Sequence, residues 1–237
     1  MGLYAIADFV VRLDNRYDYL AGQCKEYEYR GSASVDFTVS VTPEDIQKEQ
    51  NAASAAHYPE GYLESVCAYR NLCSTLPARD AMLLHGSVIS YMGRGIVFLA
   101  RSGIGKTTHT MLWKQVYADR VRIINGDKPI VRFIEEMPYA YGTPWAGKEN
   151  LHINDRVPLT DICLIQRSSE NSVFRIDPVE GLDALMQQVL VPADPEMAIK
   201  TLELVDRLLS KCKVWVIRCN ISEEAAVTVH DAIIGEI

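Results

Sequence analysis

No part of this chain carries the about 20 consecutive apolar residues that a membrane-spanning helix needs. The start, MGLYAIADFVVRLDN, has no basic segment and sets Asp8 inside its apolar stretch, so it reads as strand and not as a signal peptide. Gly2 follows the first Met, but residue 6 is Ile6 where N-myristoylation wants Ser or Thr. Basic blocks are missing too. With 24 Lys and Arg against 31 Asp and Glu the net charge is −7, and the acidic surplus is dispersed, which argues against a nucleic-acid partner. None of the six cysteines forms a C-x-x-C pair or joins a Cys/His cluster, so neither a zinc site nor a disulfide framework is expected. Internal repeats and low-complexity tracts are also lacking. These absences leave a cytoplasmic enzyme domain without membrane or nucleic-acid partners as the expectation.

What is present is enough apolar residue, 48% of 237, for one large domain or one domain with a small appendage. Residues 3 to 13 alternate as a strand, and in 34 to 42 Val35, Phe37, Val39 and Val41 share one face. Thr42, Pro43 and Asp45 make a helix start of the capping-box kind, for a short polar helix ending near Ala56. Pro59 opens a longer helical pattern through Leu63, Val66, Tyr69 and Leu76. Residues 1–78 therefore read as a small mixed α+β lobe, and 79–237 as the main core. In the core, MLLHGSVISY and GIVFLA are apolar strands around a Met92-Gly93-Arg94-Gly95 turn. Strands follow at 120–124, 129–134, 139–143, 161–166 and 172–176, then helices at 178–190 and 195–211, the strand KVWVIRC, and a helix started by Ser222. Hairpins on both sides of one central helix depart from regular βαβ alternation, so a mixed sheet is expected.

Between GIVFLA and the central helix lies ARSGIGKTT, residues 100 to 108. The pattern G-x-x-x-x-G-K-[ST] cradles nucleotide phosphates when it joins a strand to a helix, and strand, loop and helix are all readable here. Gly103 and Gly105 let successive N–H groups turn toward an anion, and the helix adds its positive N-terminal dipole. Lys106 would reach the β/γ-phosphates and Thr107 would ligate Mg²⁺, with Ser102, Ile104 and Thr108 completing the cradle. Ala100 stands where the pattern has its first glycine.

The run LHGSVISYMGRGIVFLARSGIGKTT resembles the catalytic domain of HPr kinase/phosphorylase and its shorter relatives, the serine-kinase-like and peptide-modifying kinases. Their core fold is shared with phosphoenolpyruvate carboxykinase. The resemblance covers about residues 82 to 177 and implies an α/β fold: a P-loop, carboxykinase/HPr-kinase-like mixed sheet core. It also implies an ATP- and Mg²⁺-dependent kinase acting on a Ser/Thr-type hydroxyl. A peptide or small protein is the implied acceptor, with free serine next. HPr kinases form hexamers, so homo-oligomerisation belongs to the same expectation.

The family carries an acidic pair after the strand that follows the central helix; here the segment is Asn125-Gly126-Asp127-Lys128, with one acid of the two. By resemblance Asp127 is the general base for the acceptor hydroxyl; as a metal partner it would instead hold Mg²⁺, and as part of Asn-Gly-Asp it is also good turn chemistry. His85, of the His-Gly pair, resembles the family histidine near the transferred phosphoryl group. Gly142 to Asn150 (GTPWAGKEN) resembles the segment opposite the phosphate loop, which makes Glu149 a second metal ligand and Lys148 a catalytic cation. Arg101 and Arg156 are weaker choices for a phosphate or substrate contact. His109 is expected to pack or face solvent, and His57, His152 and His230 have no partner in sequence. A carboxykinase-type reaction is a poor fit to so short a chain. A nucleotide-binding regulator without turnover stays open, given the missing acid and Ala100.

Overall fold

In the computed structural model, which describes residues 1–52 and 56–235, the apolar runs become twelve strands in two sheets, with seven α-helices around them. The small sheet pairs β1 (Gly2–Ile6) antiparallel with β2 (Phe9–Asp14), and β2 parallel with β3 (Phe37–Ser40). Residues 3 to 13, expected as one strand, are thus a hairpin. Its turn is Ala7-Asp8, both in the left-handed region at φ 53° and 59°, and the turn carries none of the Asn-Gly chemistry that usually marks such a conformation. Distant groups hold it: the Asp8 carboxylate accepts from Tyr141 Oη at 2.7 Å and pairs with Arg156.

Three helices cover this sheet: α1 (Asp18–Gln23), α2 (Pro43–Ala52) and α3 (Glu60–Thr75). The capping box at α2 forms as expected, with Thr42 Oγ1 accepting from the Asp45 amide at 3.2 Å and Asp45 accepting from the Thr42 amide at 3.0 Å. That helix is described to Ala52, short of the expected Ala56; residues 53–55 lie outside the described residues.

The large sheet has nine strands and is mixed, as expected. Its organiser is β10 (Arg156–Arg167). Its first residues run antiparallel to β9 (Met137–Tyr141), and the rest lie parallel to both β6 (Arg94–Leu99) and β12 (Lys213–Cys219). On one side of β10, β9 leads through β8 (Ile130–Ile134) to β4 (Ala81–Leu83). On the other, β6 leads through β5 (Ser87–Tyr91) to β7 (Val121–Asn125), while β11 (Ser172–Ile176) edges β12. A buried pair fixes the middle: Arg94 grips fully buried Asp161 at 2.7 and 2.9 Å, and Trp215 Nε1 donates to the same carboxylate.

The apolar run MLLHGSVISY, expected as one strand, breaks at Leu84-His85-Gly86, sending β4 to one half-sheet and β5 to the other. Gly86 allows this break: a Cβ there would come within 2.6 Å of Leu99 Cδ2. The His85 and Gly86 amides leave the ladder pattern, donating to Gln188 O (2.7 Å) and Asp127 O (2.9 Å). A second correction concerns 178–190. It holds a 3₁₀ turn and the short α5 (Leu182–Met186), because the chain then turns back to bridge Val189 to Leu84. The elements α6 (Pro195–Lys211), β12 and α7 (Glu223–Ile234) follow the sequence pattern closely.

The core forms three clusters. One joins α1 and α3 to the small sheet and continues into β4, β8 and Trp145. A second lies between the large sheet and α6. The third packs α4 (Lys106–Tyr117) and α7 against β5 and β6, around fully buried Trp113.

Candidate active site

The glycine loop leaves β6 at Ala100 and enters α4 at Lys106. Gly103 (φ 77°) and Gly105 (φ 127°) occupy backbone that side-chain-bearing residues avoid. No side chain caps α4, so the amides of its first turn are left for another acceptor. Lys106 is 8% exposed and folds its Nζ back onto the Ala100 carbonyl at 2.9 Å. Burial draws its ammonium below the usual lysine range, against an upward pull from Asp127. Arg167, at the end of β10, donates to the Gly103 and Ile104 carbonyls and so holds the loop.

Facing the loop, Asn125 at the end of β7 is fully buried and uses its whole amide for architecture. Its Oδ1 accepts from the Asp127 and Lys128 amides at 2.8 and 2.7 Å, and its Nδ2 donates to Thr143. The turn reading of Asn-Gly-Asp therefore holds, and the turn itself presents Asp127. The Asp127 carboxylate meets His85 Nε2 at 3.2 Å and Lys128 Nζ at 2.9 Å. Burial pushes this carboxyl up, but the His85 hydrogen bond and the Lys128 charge outweigh it and bring it down to about 2. With its amide turned so that nitrogen faces acceptors, Gln188 donates to His85 Nδ1 at 3.3 Å and to Ala100 O at 3.2 Å. His85 Nδ1 is then the acceptor and Nε2–H the donor to Asp127.

The GTPWAGKEN segment forms the third side. Thr143 is buried and donates to Lys128 O at 2.7 Å. Gly147 (φ 77°) passes so near Asp127 that a Cβ would lie 3.1 Å from the aspartate's own Cβ. Lys148 and Glu149 stand exposed beyond it, at the rim.

These pieces enclose one cleft of about 970 Å³. It brings together His85, Ser102, Gly103, Gly105, Lys106, Thr107, Thr108, Asp127, Lys148 and Glu149. Ile104 is the exception, with its side chain against the α4–α7 core and its amide donating to Arg101 O. Arg101 pairs with Gln187, and Arg156 with Asp8 and Tyr141; neither lines the cleft. His109 packs, 2% exposed, and burial lowers its imidazole to about 4. His152 finds Tyr27 Oη at 3.1 Å, and His230 lies between Asp231 and Tyr91. Among the residues at the site that went unnoticed in the sequence are Lys128, whose only signal was its place beside Asp127, and Arg167 and Gln188, which have no local signature.

No protein-family model matches the sequence, and no curated protein matches it either. Among solved structures, the Hpr(Ser) kinase/phosphatase from Coxiella burnetii aligns with 65% of this chain and 97% of its own, at 8% identity and a TM-score of 0.38. A likeness of that size lends no weight to a function.

Proposed function

We propose that the chain is an ATP- and Mg²⁺-dependent kinase that transfers the γ-phosphoryl group to a Ser/Thr-type hydroxyl on a peptide or small protein, with free serine the next choice. The observation that carries this reading is the cleft itself: uncapped α4 amides and Lys106 face the Asp127–His85–Lys128 cluster across one space.

In the proposed step the acceptor oxygen attacks the γ-phosphorus, the bond to the β-phosphate oxygen breaks, and ADP leaves with that electron pair. The hydroxyl proton passes to Asp127. A carboxyl near 2 is a weak base, which suits a loose transition state in which the alcohol loses its proton late. Before that, Asp127 orients the hydroxyl by accepting its hydrogen bond, while His85 and Lys128 fix the carboxylate. Lys106 and the amides of Gly105 to Thr108 would balance the phosphoryl charge, joined by Lys148 from the rim.

The donor set fits Mg²⁺. Thr107, Asp127 and Glu149 offer hard oxygens, and among the described residues no three His, Cys, Asp or Glu side chains converge into a cage. That is the arrangement for an ion that arrives on phosphates and keeps most of its waters. When bound, Mg²⁺ would neutralise phosphate charge.

A second reading, a nucleotide-binding regulator, is favoured by Asn125, whose amide is spent on the turn and leaves one carboxylate beside the loop. Mass spectrometry of a serine peptide incubated with ATP and Mg²⁺ separates the two. The kinase reading expects phosphopeptide with wild type and none with Lys106→Ala. Nucleotide binding without turnover, on peptides or on free serine, would favour the regulator.

A further inference from the structure

The cleft also holds a wall of aromatic side chains that the transfer step leaves unused. Tyr19 on α1, Tyr58 just before α3, Tyr62 and Tyr69 on α3, and Trp145 all line the cleft. Tyr19, Tyr58 and Tyr62 are 50, 39 and 40% exposed, yet their rings form one group, with centroids 6.2 and 5.4 Å apart. A contiguous set of half-open rings inside a cleft marks a binding surface more often than scattered surface apolar residues do.

The wall is built in place. Gly61 lets α3 press on α1, since a Cβ there would lie 2.9 Å from Tyr19 Cβ. Buried Glu64 accepts from the Arg16 and Tyr17 amides, pinning the chain just ahead of α1. Trp145 Nε1 donates to Ser65 Oγ at 3.0 Å, and Gln23 Nε2 donates to Pro144 O at 3.1 Å. The tyrosines are therefore tied to the segment that carries Gly147, Lys148 and Glu149.

Position assigns the wall to one end of the phosphate chain. Trp145 of the wall belongs to the segment whose Gly147 passes against Asp127, so the wall stands at the Asp127 end. Lys106 of the motif reaches the β/γ-phosphates, which puts the γ end there and the nucleoside at the other.

We propose that this tyrosine wall is the acceptor subsite, and that it takes a hydroxyl carried on a peptide segment flanked by aromatic or large apolar side chains. The inference rests on the kinase reading. Free serine would need paired charges for its ammonium and carboxylate, but Arg70 and Glu49 of the wall satisfy each other at 3.1 Å. Ring faces with hydroxyl rims suit a peptide instead, giving apolar contact at small conformational cost.

The test uses the full chain with Mg²⁺ and a non-hydrolysable ATP analogue. Fluorescence anisotropy compares a labelled serine peptide flanked by Tyr and Leu with one flanked by Ala and Gly, and a fluorescent ATP reports nucleotide affinity in parallel. The expected result is binding about tenfold tighter for the Tyr/Leu peptide. Tyr58→Ala and Tyr62→Ala should erase that preference and leave nucleotide affinity unchanged, while Tyr62→Phe keeps it and controls for folding. Equal affinity for the two peptides, with normal nucleotide binding, overturns the inference alone. A fall in nucleotide affinity in the tyrosine variants, with the peptide preference kept, also overturns it by giving the wall to the base. Absence of nucleotide binding in the wild type would sink the kinase reading and the inference with it.

Discussion

Two helix starts in this protein are built in opposite ways. The helix α6 begins in the open with Asp194, whose carboxylate accepts from the Met197 amide at 3.0 Å, followed by Pro195 in the first turn. The helix α4 begins at Gly105 with no side chain on its amides. Its first turn is held from beneath instead. Thr110 Oγ1 donates to Ser87 Oγ at 2.8 Å, buried His109 accepts from Trp113 Nε1 at 3.2 Å, and Lys106 reaches back to Ala100. A helix that satisfies its own amides needs one capping residue, whereas one that offers them to a ligand needs a supporting floor. On the kinase reading proposed above, the amides at the start of α4 are the ones left for phosphate.

The largest effect should come from Asp127→Asn, which removes the proposed proton acceptor across the cleft from the open helix start. Phosphoryl transfer in single-turnover measurements is expected to fall by about 10²- to 10⁴-fold. Nucleotide affinity measured without Mg²⁺ should hold, because the α4 amides are untouched.

The floor under α4 makes its own prediction through His109. Burial moves this imidazole from its ordinary 6.5 to about 4, so the unfolded chain binds more protons than the fold between those values. Stability is then fully present above pH 6.5 and lost as pH falls toward 4, by up to about 3 kcal/mol over that window. Urea denaturation midpoints across the window measure it, and His109→Gln should flatten this part of the slope. An unchanged slope would remove His109 from the account of the floor.

Lys106→Ala should cost about 10- to 100-fold in nucleotide affinity by calorimetry, the size of a hydrogen bond to a charged group. The smallest effect is expected at the other helix: Asp194→Ala should lower stability by about 1 kcal/mol and leave nucleotide binding alone. If the two variants exchanged these outcomes, the contrast between the helix starts would fail.

Local signals carried far in this chain. The helical pattern over 195–211 gave the limits of α6, the KVWVIRC run gave β12, and strand, glycine loop and helix were readable as one unit from 96 to 117. The misreadings lie where distant groups decide. The Ala7-Asp8 turn depends on Tyr141 and Arg156, and the break at His85-Gly86 depends on Leu99, Gln188 and Asp127. At the site the same rule holds. Lys106 and Thr107 are legible from their motif, and Asp127 through the resemblance that places an acid after this strand. Arg167 and Gln188 reach the glycine loop across 63 and 88 residues of chain, and no spacing announces such contacts.

The most direct test of the open helix start is an amide ¹H–¹⁵N titration of the full chain with ATP and Mg²⁺. The largest shifts are predicted at Gly105, Lys106, Thr107 and Thr108, where amides are left without a cap, while the capped Met197 amide of α6 stays in place. Saturating nucleotide that leaves those four amides unmoved, or moves Met197 as far as they move, would contradict the account.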